Sequence, residues 1–356
     1  MKTPKTPKTL TGIDLPPGSP GGSVELLKDL YLAPEAPIAA DVFMLGSGAQ
    51  PGGPHLLDVP GKQLDGPGFW SYVDALATAI RRRFDPADFD AVHWQHLSFG
   101  ATPALLRAFP DHPRIALVHG TDLLFAAEHP TQRDVLREAA ASTGAVVVPT
   151  SAMAGLLREV TPVEPKRIVH VPWGIPDRLL HSPPPRPGTR DGFRVLYAGR
   201  LTAEKGAAEL IADLTGLPGV TLCVAAPEHE FAALPVDTTQ VDYLGWFDRP
   251  ALWQAFARHD LLVMPSTTLE AFGLVAVEAQ ACGLPVAYQP VPGLTEVLGD
   301  SALRFTRSTL ADTVRLLAKD DSALTDLRAA GLRNAARFPL SGTAAGLAAV
   351  TAEVCR

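Results

Sequence analysis

Pro265-Ser-Thr-Thr-Leu-Glu270-Ala-Phe-Gly273-Leu-Val-Ala-Val-Glu278-Ala-Gln-Ala-Cys-Gly283-Leu-Pro-Val286 is the stretch on which the reading of this 356-residue chain turns. It follows Leu261–Met264, an apolar run of strand length, with a loop and then a helix beginning near Gly273. The first backbone N–H groups of a helix have no partner inside it. Those of Phe272, Gly273 and Leu274 therefore suit an anion such as a phosphate. Glu270 stands just before the helix, and Glu278 lies about one and a half turns inside it. Two carboxylates bracketing such a site can accept hydrogen bonds from ligand hydroxyls. The plainer reading of Glu270 is a carboxylate that complements the helix dipole, and that of Glu278 is a solvent-facing helix residue. The second is disfavoured because Leu274–Cys282 is otherwise largely apolar, and an unpaired charge there is costly.

Outward from this stretch, apolar runs of strand length alternate with helix-length segments. In the first half, strands are predicted at Thr9–Leu15, Asp41–Leu45, Asp90–Trp94, Arg114–Val118, Ala145–Val148 and Ile168–Val171. Helices are predicted at Ser23–Leu32, Phe69–Phe84, Thr102–Phe109, Arg133–Ser142 and Ser151–Val160. Ser182-Pro-Pro-Pro-Arg-Pro-Gly188 interrupts the pattern as an extended linker, because proline fixes φ and removes donors. The alternation then restarts, with strands at Phe193–Tyr197, Val220–Val224, Val241–Leu244, Leu261–Met264, Val286–Tyr288 and Ala302–Phe305. This order predicts an α/β protein with mainly parallel sheets covered on both faces. The expected organisation is a disordered Lys-Thr-Pro tail over residues 1–8, one domain over 9–180, a linker over 181–192 and a second domain over 193–337. A last helix in 338–356 is expected to cross back to the first domain. Two doubly wound halves predict a cleft between them, with ligands at the carboxyl ends of strands.

Apolar residues make up 46% of the chain and charged residues 19%, an ordinary globular balance. The net charge is −7, and no basic run exceeds Arg81–Arg83, which argues against a nucleic-acid partner. Cys223, Cys282 and Cys355 are far apart and odd in number, so no disulfide framework or zinc spacing follows, and a cytoplasmic protein is expected. No apolar run approaches the ~20 residues that span a bilayer, so no transmembrane segment is expected. Asp88-Phe-Asp90 sits in a loop entering a strand and reads as turn chemistry, and no metal is implied.

The chain holds 8 Lys, three of them in the first eight residues, so a lysine inside a motif is informative. Arg200 follows the strand Phe193–Tyr197, and Lys205 opens the next helix. Both cations project near a strand's carboxyl end, where a fork and a point charge suit a diphosphate. The alternative is a solvated surface pair. Gly21 and Gly22 follow the first strand and allow close backbone approach to a ligand. His119-Gly-Thr-Asp122 follows the strand Arg114–Val118. Taken alone, His119 reads as structural, and Asp122 either orients it or caps the helix behind it. His93 and His96 lie at another strand end and either face a second substrate or flank the core.

The spacing Glu270-x7-Glu278 within PSTTLEAFGLVAVEAQACGLPVA resembles the signature of the retaining family-four glycosyltransferases of GT-B type, the group that includes glycogen synthase and phosphatidylinositol mannosyltransferase. LYAGRLTAEKGAAELI resembles the family's Arg/Lys phosphate motif, LVHGTDLL its HG-x-D turn, PPGSPGGSVELL its Gly-Gly loop, and HVPWGIPD its interdomain approach. These occur in the family's order over about residues 9 to 354. The resemblance implies two Rossmann-like domains facing each other across a cleft. It also implies transfer of a hexose or amino-hexose, with retention, from a nucleotide diphosphate sugar, most often UDP-linked. Arg200, Lys205 and the helix N-terminus at Phe272, Gly273 and Leu274 would bind the diphosphate. Gly21 and Gly22 would close over it, Glu270 would hold the sugar hydroxyls, Glu278 the ribose, and His119 would lie near the attacked bond. His93, His96 and Asp122 are the candidate acceptor contacts. No cofactor or metal is expected beyond the donor itself. The Ala/Arg-rich, Lys-poor composition resembles antibiotic-pathway enzymes that glycosylate aminocyclitols (aminoglycosides). The alternatives are a lipid or polysaccharide acceptor, an epimerase of the same fold, or a non-catalytic sugar-nucleotide-binding module.

Overall fold

The computed structural model describes residues 7–48, 50–161, 164, 166–188 and 192–356. Most of the expected tail and the end of the expected linker lie outside these residues. Among them, thirteen strands form two parallel sheets. The first sheet contains β1 (Thr9–Gly12), β2 (Ala40–Leu45), β3 (His55–Leu57), β4 (Ala91–Trp94), β5 (Arg114–Leu117), β6 (Ala145–Val148) and β7 (Ile168–His170), in the spatial order β3-β2-β1-β4-β5-β6-β7. The second contains β8 (Phe193–Ala198), β9 (Val220–Ala225), β10 (Asp242–Tyr243), β11 (Leu261–Met264), β12 (Val286–Tyr288) and β13 (Leu303–Arg304), in the order β10-β9-β8-β11-β12-β13.

Every residue of β1, β4, β5, β6 and β11 is buried. Strands covered on both faces need continuous apolar runs, which is why these segments are legible in the sequence. In each sheet the order reverses once, between β1 and β4 and between β8 and β11. Such switch points open a crevice at the carboxyl ends of the two strands. In the first sheet Thr11 pairs with Val42 on one side and His93 on the other, which sets Asp14 and Gln95 just beyond that opening.

Two units divide the chain. One comprises the chain up to Pro172 together with Ser341–Arg356, and the other comprises Trp173–Leu340. The chain therefore leaves the first unit upstream of the proline run. Trp173 and Ile175 are buried in the second unit, where Ile175 donates to the Phe338 carbonyl at 3.0 Å and accepts from Leu340 at 2.8 Å. The proline run is strapped down as well. Arg186 donates to the carbonyls of Phe256 (3.3 Å) and His259 (2.7 Å) at the end of helix Arg249–Ala257, where unpaired carbonyls favour a cation.

The helix Leu340–Val354 packs on the first unit. Thr343 donates to the Pro172 carbonyl at 2.9 Å, Arg167 pairs with Glu353 at 2.6 Å, and Leu347 is fully buried. Strand β3 and the short helices Asp177–His181 and Glu228–Ala232 are additions to the elements expected from sequence, and the helix at Asp122 runs Thr121–Glu128. Among the described residues, no helix is long and apolar enough to cross a membrane.

Candidate functional site

At the switch point of the second sheet, the loops after β8 and β11 meet. Gly206, at φ +67, approaches so closely that a Cβ there would overlap the Pro265 carbonyl oxygen. Glycine alone satisfies both the left-handed backbone and the contact. This approach brings Lys205 onto Glu270, and the two side chains form an ion pair. Ser266, buried at the end of β11, donates to the same Glu270 oxygen at 2.9 Å. From the other side Gly293, in helix Pro292–Leu298, leaves no room for a side chain against the Glu270 carbonyl.

The helix after this loop runs Leu274–Ala281, and Gly273 is its N-cap at φ +84. No side chain caps it. The backbone N–H groups of its first turn are thus presented beside Glu270 and Lys205, the arrangement that binds anions. Phe272 is buried edge-on against Phe338 (centroids 5.1 Å apart), so it fixes the loop through its ring. Gly273 is buried and Leu274 half-buried.

Arg200 sits on the same side of the sheet but has a different partner. Its Nε donates to Glu230 Oε1 at 2.9 Å, and the other oxygen of Glu230 accepts the Leu201 N–H at 2.7 Å. Glu278 is 3% exposed. Its Oε1 accepts from Arg249, through Nε at 3.0 Å and through Nη2, while Oε2 accepts the Trp253 indole N–H at 2.9 Å. The carboxylate expected to take a ribose is therefore bound on both oxygens by neighbouring side chains. Trp246 is 47% exposed, which removes it from the core.

In the first unit, Gly21 is the N-cap of helix Gly22–Leu27 at φ +146, a backbone conformation open to glycine. His119 follows β5 and is stacked obliquely on His96, which follows β4, with ring centroids 5.1 Å apart. Burial pushes His119 down to about 3 and His96 well below its usual value, so both rings are neutral at neutral pH. Asp122 is fully buried and ties the two loops together. Oδ1 accepts the His119 backbone N–H at 3.2 Å and Oδ2 accepts that of Leu97 at 3.0 Å. Burial pushes its carboxyl up to about 6.

The structure corrects the reading of His93 as an acceptor contact. It is 1% exposed, and both ring nitrogens are engaged, Nδ1 by Tyr31 Oη at 2.9 Å and Nε2 by Thr351 Oγ1 at 2.8 Å. Its strand is buried on both faces, so polarity gave no sign of which way the ring points. Two further residues gather at the same strand ends. Asp14 is 2% exposed, accepts the Gly100 N–H at 3.2 Å and the Tyr72 hydroxyl at 3.4 Å, and lies 3.6 Å from Lys62 Nζ. Neither residue is among the candidates read from the sequence, although Lys62 is one of the few lysines beyond the first eight residues.

Two family models match the chain. Residues 30–179 match Glycosyltransferase Family 4, and residues 186–333 match Glycosyl transferases group 1. D-inositol 3-phosphate glycosyltransferase 1 of Catenulispora acidiphila is 31% identical over 308 residues, covering 74% of this chain and 72% of that relative. The D-inositol 3-phosphate glycosyltransferase of Thermobispora bispora is 32% identical over 240 residues, 58% of this chain and 55% of the relative. Among solved structures, sucrose-phosphate synthase from Thermosynechococcus elongatus superposes with a TM-score of 0.79 at 18% identity, covering 98% of this chain and 99% of its own. Anabaena HepE in complex with UDP and glucose gives a TM-score of 0.74 at 19% identity, with 98% and 100% covered.

Proposed function

The chain belongs to the glycosyltransferases of group 1 and family 4 and has the GT-B type of fold, and from that membership we propose that it moves a hexosyl group from a UDP-linked sugar to a hydroxyl of a cyclitol, with retention of anomeric configuration. The observation that carries the reading is the Lys205–Glu270 contact at the switch point of the second sheet, beside a helix N-terminus that no side chain caps.

The chemistry follows from those groups. As the sugar–phosphate bond breaks, negative charge builds on the departing diphosphate. Lys205, Arg200 and the N–H groups at the start of helix Leu274–Ala281 are fixed before the reaction, and fixed donors stabilise such charge without reorganising. We assign the charge stabilisation to these groups and none of it to a metal. Glu270 is held by Ser266 and Lys205, and a donor phosphate drawing on Lys205 leaves its carboxylate to the sugar hydroxyls. Retention is supported by the Glu270-x7-Glu278 spacing, and UDP by the nucleotide that HepE holds in the same fold.

A cyclitol acceptor is supported by the relatives named as inositol-phosphate glycosyltransferases. The charge state of the first-unit strand ends bears on which cyclitol. Lys62 is paired with Asp14, Asp122 is held by internal donors, and His96 and His119 are neutral, so the cluster carries no surplus positive charge. The preference for inositol or its phosphate over a polyamine therefore rests on the names of those relatives. The test crosses UDP-, GDP- and ADP-linked sugars with inositol, inositol phosphate, aminocyclitol, phenolic and lipid acceptors, with products read by mass and anomeric configuration by NMR. UDP release that depends on a cyclitol, with a retained linkage and undiminished by EDTA, is the expected result. Products from lipid acceptors alone, or an inverted linkage, would overturn it.

A further inference from the structure

Glu230 lies outside every motif that identified the chain, on the five-residue helix Glu228–Ala232 that follows β9. Because β9 pairs with β8 in register, Phe193 to Val220 through Ala198 to Ala225, the carboxyl end of one strand lies beside that of the other. Glu230 uses this adjacency to reach two consecutive residues of the β8 loop. One oxygen takes the Arg200 guanidinium at Nε and the other takes the Leu201 backbone N–H. A third tether comes from Tyr197, whose hydroxyl donates to the Arg200 carbonyl, and Gly199 donates to the Ala225 carbonyl at 3.0 Å. The Glu230 side chain is 13% exposed while that of Arg200 is 49% exposed. The carboxylate is thus the covered anchor and the guanidinium the open end.

We infer that Glu230 is a positioning residue for the donor site, holding Arg200 through Nε so that its two terminal amino groups face the diphosphate. A flexible arginine on a loop would lose several rotatable bonds on binding a phosphate, and each immobilised side chain of this kind costs affinity. Clamping both the guanidinium and the next peptide before the donor arrives removes most of that cost. The clamp lowers the net charge of the site, so the alternative role for Glu230 is a competitor that donor phosphate must displace from Arg200. The two roles predict opposite signs.

The inference rests on Arg200 binding the donor diphosphate, and the experiment separates the two. UDP is titrated calorimetrically into the full chain, into Glu230→Gln, into Arg200→Ala and into the double variant, with the melting temperature of each recorded. Glu230→Gln keeps the shape but presents an amide donor to one of the two N–H groups. It is expected to weaken UDP about tenfold, roughly the worth of one charge-assisted hydrogen bond. In the Arg200→Ala background the same change should alter affinity less than twofold, since a residue acting through Arg200 has nothing left to hold. Unchanged or tighter UDP binding in Glu230→Gln overturns the inference, as does an equal loss in both backgrounds. A lowered melting temperature with wild-type affinity also overturns it, because that is what a purely structural role would give. Failure of the folded wild-type chain to bind UDP would instead remove the donor reading and this inference with it. If Glu230→Gln does not fold, Glu230→Asp, too short to span both partners, carries the same comparison.

Discussion

Removing the Glu278 carboxylate separates a structural role from a ligand role at the second glutamate of the signature. Glu278 is 3% exposed and the Arg249 side chain 9%, so the pair is withdrawn from water. Glu278→Ala removes the carboxylate to which Arg249 donates through Nε and Nη2, and it leaves the Trp253 indole N–H without that acceptor. Breaking a buried pair by deleting one partner costs about 3–5 kcal/mol. For a unit of this size each kcal/mol moves the midpoint about 2–4 °C, so a fall on the order of 10 °C is expected by scanning calorimetry. Replacing the pair together, Glu278→Ala with Arg249→Met, removes the buried guanidinium along with the carboxylate and should recover most of the loss, short of about 1 kcal/mol for the indole. The double variant then reports on donor affinity in a stable protein. If it binds UDP as the wild type does, Glu278 is an anchor for the Arg249–Ala257 helix. If it does not, the carboxylate also serves the ribose. A single variant melting within about 2 °C of wild type, or a double variant no more stable than the single, would refute the energetic reasoning.

Lys205→Ala should lower turnover by ~10²–10³-fold, the usual loss for one charge-stabilising donor, while its half-exposed ion pair contributes under about 1 kcal/mol and leaves the melting temperature nearly unchanged. Near-normal turnover would remove Lys205 from the reaction. Gly293→Ala inserts a methyl against the Glu270 carbonyl and should displace Glu270, seen as a lost turnover out of proportion to the destabilisation; full activity would show that the loop yields freely. The histidines set an acid limit. His93 is pushed down to about 3 by burial, so the folded ring is neutral while the unfolded chain takes up a proton below its ordinary value near 6.5. Its contribution is therefore intact above pH 6.5 and lost as pH falls toward 3, by about 1.4 kcal/mol per unit. Asp122, pushed up to about 6, runs the other way, its contribution being lost as pH rises from about 4 through 6, so it offsets one histidine in that window. Denaturant unfolding at stepped pH should show a shallower acid slope in His93→Gln than in wild type, and equal slopes would refute the assignment.

The sheets were legible because a strand buried on both faces leaves a continuous apolar run. Ala145–Val148, Leu261–Met264 and Val286–Tyr288 coincide with their predicted bounds. Strand His55–Leu57 escaped notice because it is a three-residue edge strand amid Gly and Pro. Helix Glu228–Ala232 is too short for any periodicity, and Glu230 was hidden with it. The residues proposed to face the phosphate could be named because glycine and scarce lysine stand out locally. Their partners could not. Arg249 lies 29 positions from Glu278, Glu230 lies 30 from Arg200, and no local pattern links either pair. His93 was misjudged for a related reason, since its partner Thr351 is 258 positions away.

That last separation bears on how the protein is made. The helix Leu340–Val354 lays Ala344, Leu347 and Val350 into the first unit, seats Thr351 on His93, and fits against Gly144, where any side chain would overlap Val354. Domains tend to fold in the order in which the ribosome releases them. Here the unit that emerges first is completed last. While the second unit already has its whole sequence, the first still exposes the apolar seam that this helix will seal. A nascent chain therefore waits for its final turn of helix before its opening strands are fully enclosed, and that interval is its exposure to chaperones and to aggregation.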